Sequence, residues 1–174
     1  MTVSSRIQAP VGRLQIGTAL FLAVAMAAVV GAALGFEHIG GYIPCALCLT
    51  QRTPYYIGAP LMLVAAVLSY AGGPAWLVRG LLAVGGLLML YGMVIGIYPS
   101  GVEWKWWDGP AGCATSADAV TTDAGSLLGD LSSKKPPSCD AAALRVLGLS
   151  FAGWNVLASA ALAAAAARAA TIRG

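Results

Sequence analysis

Four cysteines are the residues of this sequence best suited to chemistry. Cys45 and Cys48 form a Cys-x-x-Cys pair, whereas Cys113 and Cys139 have 25 residues between them. A bridge between residues i and i+3 closes a very short loop and gains little from loop entropy, so a tight pair favours redox or metal chemistry over a structural role. A structural zinc site needs four ligands, and His38 is the only histidine. The spacing therefore favours thiol redox chemistry, and no metal site is expected.

An arginine follows the tight cysteine pair at helical spacing. Proline is favoured at the first position of a helix, so Pro44 predicts a helical turn in which Cys45 and Cys48 share one face. Arg52 then lies one turn beyond Cys48 on the same face. The thiolate is the reactive form of cysteine, and a nearby cation favours it. We therefore expect Arg52 to stabilise a Cys48 thiolate; the alternative is an arginine that only sets membrane topology.

Four apolar stretches are long enough to hold these residues at a bilayer. Only 10% of the 174 residues are charged and 59% are hydrophobic, whereas soluble proteins average about 25% charged residues. A bilayer is crossed by about 20 helical residues, and the stretches cover about residues 14–36, 54–71, 80–98 and 147–167. The second is expected to begin near Pro54, because a proline disfavours helical geometry at the residue before it. We predict an all-α integral membrane protein: a four-helix transmembrane bundle forming a single domain over residues 1–174.

The first stretch has an alternative reading as a cleaved secretory signal. Its apolar run has 23 residues, whereas the apolar region of a signal peptide has about 7–15. Retention as a membrane helix is therefore expected.

The distribution of charge predicts the orientation of the bundle. With four spans, both termini share one side with the turn at residues 72–79, and that side carries five arginines and no acid, a net charge of +5. The opposite side carries all seven acids and a net charge of −2. Basic residues in short loops mark the cytoplasmic face, so both termini are expected in the cytoplasm and all four cysteines in the periplasm. The net positive charge of the chain is explained by its membrane topology, and no nucleic-acid binding is expected.

Two periplasmic loops are expected, at about residues 37–53 and 99–145. The first contains Cys45 and Cys48, and the second contains Cys113 and Cys139. Within the second loop, apolar residues recur at helical spacing between about residues 118 and 131. This pattern predicts a short amphipathic helix on the membrane surface.

Three segments resemble the disulfide bond formation protein B (DsbB) family. They are residues 37–56 (EHIGGYIPCALCLTQRTPYY), residues 101–107 (GVEWKWW) before Cys113, and residues 147–150 (LGLS) after Cys139. The similarity covers essentially the whole chain, including the number of spans and the placement of all four cysteines. The specific signature is Cys-x-x-Cys followed by arginine after three further residues, at the mouth of the second span.

The resemblance implies a quinone-dependent protein-dithiol oxidase of the bacterial inner membrane. Its cofactor would be ubiquinone or another membrane quinone, and its partner a periplasmic thioredoxin-fold protein similar to DsbA. By family logic, Cys113 takes up the partner as a mixed disulfide and Cys139 then exchanges with Cys45. Cys48 would pass the electrons to the bound quinone, with Arg52 stabilising negative charge on both.

Two alternative functions stay open, and the sequence differs from the family pattern at two places. The alternatives are a DsbB paralogue dedicated to a specialised thioredoxin-fold partner, and a non-enzymatic membrane protein with two structural disulfides. The departures are Pro99-Ser100, where close relatives are expected to have a histidine, and Leu144, where many members have a tryptophan. Both affect the fit of the partner and the detail of the quinone pocket rather than the class of reaction.

Overall fold

Four helices and one very small hairpin make up the described part of the protein. The computed structural model describes residues 12–41, 46–108 and 145–172. The elements in chain order are α1 (Arg13–His38), α2 (Ala46–Tyr70), α3 (Ala75–Glu103), β1 (Arg145–Val146), β2 (Leu149–Ser150) and α4 (Phe151–Thr171). The predicted helical bundle is confirmed, with the hairpin as its one addition. The amphipathic helix predicted in the second loop lies outside the described residues.

Three of the described helices are long and apolar enough to cross a membrane: Arg13–His38, Leu47–Tyr70 and Ala75–Glu103. Their outward faces carry large apolar side chains such as Phe21, Val67 and Leu87, each more than half exposed. Contact of these faces with lipid is favourable, since exposure of apolar side chains to water is unfavourable. The fourth helix, α4, has 21 residues and is rich in alanine, with Asn155 and Ser159 lowering its hydropathy. Its crossing of the bilayer, the orientation of the bundle and the single domain over residues 1–174 stay predictions.

Helix boundaries differ from the prediction at the two central helices. Pro54 does not start α2: it lies inside the helix together with Pro60, and its side chain is fully buried. Prolines are tolerated inside membrane helices because neighbouring groups can satisfy the freed backbone carbonyls. Pro99 is likewise buried inside α3, which continues to Glu103. A proline was therefore a poor marker of helix ends in this apolar chain.

The start of α4 also differs from the prediction, because a hairpin occupies residues 145–150. Leu147 and Gly148 both have positive φ, at 53° and 84°, as the two central residues of a type I′ turn require. The turn pairs Val146 with Leu149 in an antiparallel ladder. Ser150 then caps α4 by accepting a hydrogen bond from the Gly153 amide at 3.2 Å. The fourth helix therefore begins at Phe151 rather than near Leu147.

Close packing joins α3 to the helices on either side of it. A Cβ atom added at Gly92 would lie 3.3 Å from the Ser159 hydroxyl and 3.5 Å from Pro54, and one added at Gly96 would lie 2.9 Å from Val156. Glycine at these two positions lets α3 approach α2 and α4 closely. At the end of the bundle where α1 begins and α4 ends, Gln15 donates a 2.8 Å hydrogen bond to the carbonyl of Ile172. The start of α1 therefore lies beside the end of α4.

Candidate functional site

A cavity of about 320 Å³ lies between α1, α2 and α4. Its volume falls within the range of small-molecule sites, about 300–1,000 Å³. Most of its wall is apolar, formed by alanine and valine side chains of α1 and by aromatic residues. The aromatic rings of Phe36 and Phe151 meet across α1 and α4, with centroids 4.9 Å apart and an interplanar angle of 58°. The polar residues of the wall are Glu37, Cys48, Gln51, Arg52, Tyr55 and Asn155.

The cavity brings together two of the residues that the sequence singles out. Cys48 and Arg52 both lie on α2, four residues apart, and both line the cavity. Cys48 is partly buried, so this residue belongs to the wall of the cavity and not to the outer surface alone. The other predicted site residues, Cys45, Cys113 and Cys139, lie outside the described residues, and the proposed path of electrons among the four sulfurs stays a prediction.

Arg52 forms an ion pair that the sequence analysis missed. Its Nη1 donates a 2.5 Å hydrogen bond to Oε2 of Glu37, which lies near the end of α1. The side chains of Arg52 and Glu37 are 14% and 27% exposed, so water screens this pair only in part. Glu37 is the only acidic residue in the predicted first loop. This was the one feature of the sequence that could have indicated a partner for Arg52. The guanidinium charge of Arg52 is thus shared between the cavity and a carboxylate.

A chain of polar side chains crosses from α2 to α4 along the wall of the cavity. The Tyr55 hydroxyl donates to Oδ1 of Asn155 at 2.7 Å and lies 2.7 Å from the Ser159 hydroxyl. The Asn155 Nδ2 donates to Oε1 of Gln51 at 2.8 Å. Tyr55 and Ser159 are almost inaccessible, with 1% and 0% exposure. No pattern in the sequence around Asn155 predicts these contacts, because contacts between residues about 100 positions apart carry no local signal.

The departures of this chain from the expected family pattern lie away from the cavity where the structure describes them. Pro99 and Ser100 do not contribute to its wall. The Ser100 hydroxyl instead donates to the carbonyl of Gly96 at 2.8 Å, within α3. The remaining departure, Leu144, lies outside the described residues. The histidine expected near residue 99 is therefore not replaced by another cavity-lining group at that position.

The cavity fits the head group of a quinone in its size and in the character of its wall. A quinone ring is apolar on both faces and carries carbonyl oxygens that accept hydrogen bonds. The wall supplies aromatic and aliphatic contacts together with an arginine and a buried amide. The Nε2 atom of Gln51 is buried and has no hydrogen-bond partner in the described part of the protein, and such a donor calls for an acceptor.

Comparison with known proteins identifies the family. No significant match is found among curated proteins or among solved structures. The family model described as "Disulfide bond formation protein DsbB" matches residues 15–169, which include all four helices almost entirely and every cysteine. A match over most of the chain agrees with the signature around Cys48 and Arg52, and with a bundle of membrane-capable helices. The chain therefore belongs to the DsbB family of multi-pass bacterial membrane proteins, disulfide-generating oxidoreductases that act in disulfide bond formation.

Proposed function

We propose that this protein reoxidises the dithiol of a periplasmic DsbA-like protein and passes the electrons through its two cysteine pairs to ubiquinone. The observation that carries the proposal is the position of Cys48 and Arg52 in the wall of one apolar cavity between helices. A thiol at such a place is within reach of a lipid-soluble acceptor. A purely structural disulfide has no need of an adjoining cavity or of a cation four residues away.

The balance of the reaction defines what the cysteines must do. Two thiols of the partner protein become one disulfide, and the two electrons and two protons that leave them reduce the acceptor to its hydroquinone. A membrane quinone, when bound, supplies this two-electron acceptor. Cys113 and Cys139 exchange with the partner, and Cys45 and Cys48 then hold the electrons until the acceptor takes them. The roles of Cys45, Cys113 and Cys139 rest on the resemblance to the family.

Three charged or ionisable side chains control the chemistry at the cavity. Cys48 supplies the reacting sulfur, and the Arg52 guanidinium favours negative charge on it. Arginine suits this role because it stays protonated and its planar fork can contact two oxygen atoms at once. Glu37 holds that guanidinium through the 2.5 Å contact with Nη1. The carboxylate thereby fixes the direction of Arg52 and offsets part of its charge before the thiolate forms.

A paralogue dedicated to a specialised thioredoxin-fold partner would use the same cavity and the same cysteines. It would differ only in the protein that Cys113 meets. Reaction of the purified protein with a panel of reduced thioredoxin-fold proteins separates these two functions, because a dedicated enzyme oxidises one of them and a general enzyme does not discriminate so strictly.

The test of the proposed function compares Cys48→Ser with Leu49→Ser. Leu49 is the neighbouring residue, is 42% exposed and does not line the cavity, so both variants introduce the same side chain but only one removes the sulfur. Purified protein is mixed with a reduced DsbA-like protein and a short-chain ubiquinone, and both thiol loss and quinone absorbance are followed. Cys48→Ser should abolish quinone reduction, and Leu49→Ser should retain it. Rates equal to the protein-free background in both variants would leave a non-enzymatic membrane protein as the better description, and equal rates above that background would remove Cys48 from the path of the electrons.

A further inference from the structure

One amide group in the cavity wall has incomplete hydrogen bonding. Gln51 is only 6% exposed, lines the cavity, and accepts a hydrogen bond on its Oε1 from Asn155. Its Nε2 is buried and has no partner in the part of the chain that the structure describes. Buried polar atoms in folded proteins are nearly always hydrogen-bonded. A buried, unpartnered donor on a residue that lines a cavity therefore indicates a ligand that brings an acceptor.

The hydrogen-bond chain behind Gln51 has a definite direction. The hydroxyl proton of Tyr55 is donated to Asn155, so the 2.7 Å contact between Tyr55 and Ser159 must use the proton of Ser159. The order of donation therefore runs from Ser159 to Tyr55, to Asn155 and to Gln51. Each group accepts from the one before and donates to the next. The last group, the Gln51 amide, is left with Nε2 hydrogens that have no partner in the described part of the protein, on a residue that lines the cavity.

We propose that Gln51 is the residue that selects the oxidised ligand, by donating a hydrogen bond from Nε2 to a carbonyl oxygen of the quinone ring. The proposal rests on the proposed function and adds a specificity-determining residue to it. A quinone carbonyl only accepts hydrogen bonds, so it matches the donor end of the chain. A hydroquinone hydroxyl brings a proton of its own to the same place and matches it less well. Gln51 thereby favours binding of the substrate over retention of the product.

This role differs from that of the neighbouring Arg52. The guanidinium of Arg52 already pairs with Glu37, and its charge favours any ligand atom that becomes negative. The Gln51 amide carries no charge, and its selectivity depends on whether the ligand oxygen has a proton. The two residues therefore contribute separable effects, and loss of Gln51 should alter the preference between the two redox forms of the ligand.

The experiment measures equilibrium binding of a short-chain ubiquinone and of its hydroquinone to the full-length protein in detergent micelles. Gln51→Met removes the donor and keeps the length of the side chain, and Gln51→Leu provides a second variant if the first does not fold. Loss of one uncharged hydrogen bond predicts about five- to tenfold weaker binding of the quinone. The hydroquinone should lose less than about twofold on the same scale. In the infrared spectrum, one carbonyl stretch of the bound quinone should move towards its value in an apolar solvent.

The matched control is Gln15→Met. Gln15 is fully buried but donates to Ile172 at the far end of the bundle, so this variant loses a buried glutamine bond without touching the cavity. It should bind both ligands as the wild type does. A wild-type protein that binds no quinone would overturn the proposed function and this inference together. Quinone binding by the wild type, with unchanged affinity and carbonyl stretches in both Gln51 variants, would overturn only the role of Gln51. Equal weakening for quinone and hydroquinone would refute selection by redox form.

Discussion

Replacing Tyr55 by phenylalanine should destabilise the bundle, although it removes only one atom. The substitution removes one oxygen atom, and this atom makes both the contact with Asn155 and the contact with Ser159, each at 2.7 Å. Tyr55 and Ser159 are 1% and 0% exposed, so water cannot replace the lost partner. The aromatic ring is retained, and the packing of α2 is therefore expected to be preserved.

The expected size of the effect follows from these two contacts. Hydrogen bonds between membrane helices contribute about 0.6 kcal/mol on average and about 1.7 kcal/mol at most. Because both contacts of Tyr55 are buried, we expect Tyr55→Phe to lower the free energy of unfolding by about 2 kcal/mol. The measurement is reversible unfolding of the protein in micelles by titration with dodecyl sulfate.

The adjacent residue provides the control. Tyr56 is 50% exposed, so Tyr56→Phe removes the same atom on the outer face of the same helix turn and should change the free energy of unfolding by less than about 0.5 kcal/mol. A double-mutant cycle with Ser159→Ala should then give a coupling energy of at least about 0.5 kcal/mol, since the two hydroxyls form one contact. If Tyr55→Phe were no more destabilising than Tyr56→Phe, the polar chain would not stabilise the packing of α2 against α4.

Three further predictions concern the ion pair and the packing of α3. Glu37→Gln should increase the rate at which a neutral alkylating reagent modifies Cys48, because Arg52 then has no carboxylate beside it; mass spectrometry of the modified protein measures this rate, and an unchanged or slower rate contradicts the role given to Glu37. Arg52→Lys keeps the charge but loses the planar fork, so quinone binding should weaken while thiol exchange with the partner protein continues; retained affinity would reduce Arg52 to a topology residue. Gly96→Ala places a methyl group 2.9 Å from Val156 and should cost about 1–3 kcal/mol of stability by overpacking. Gly31→Ala is its control, since an added Cβ there meets nothing within 4 Å, and equal unfolding curves for the two variants would refute the close approach of α3 and α4.

Much of the architecture was predictable because long apolar stretches without charge indicate the helices of a membrane protein. A stretch such as residues 14–36 has no charge, and the observed helix, Arg13–His38, extends only one or two residues beyond it at either end. The predicted boundaries failed at the start of α2, which was inferred from Pro54, at the end of α3, and at the start of α4, where a hairpin precedes the helix. Pro54 and Pro99 lie inside helices, because burial against neighbouring helices outweighs the lost backbone hydrogen bond in a setting where an unfolded backbone would be costlier still.

The sequence by itself determined the chemistry on offer: a Cys-x-x-Cys pair, an arginine four residues after Cys48, and apolar segments to hold them at a membrane. These features are local, so spacing along one helix is enough to reveal them. Only the tertiary structure decided which groups surround that chemistry. Glu37 comes to Arg52 from another helix, and Asn155 reaches Gln51 across 104 residues of sequence. Such contacts depend on how helices pack and rotate against one another, and no periodicity within a single helix encodes that rotation.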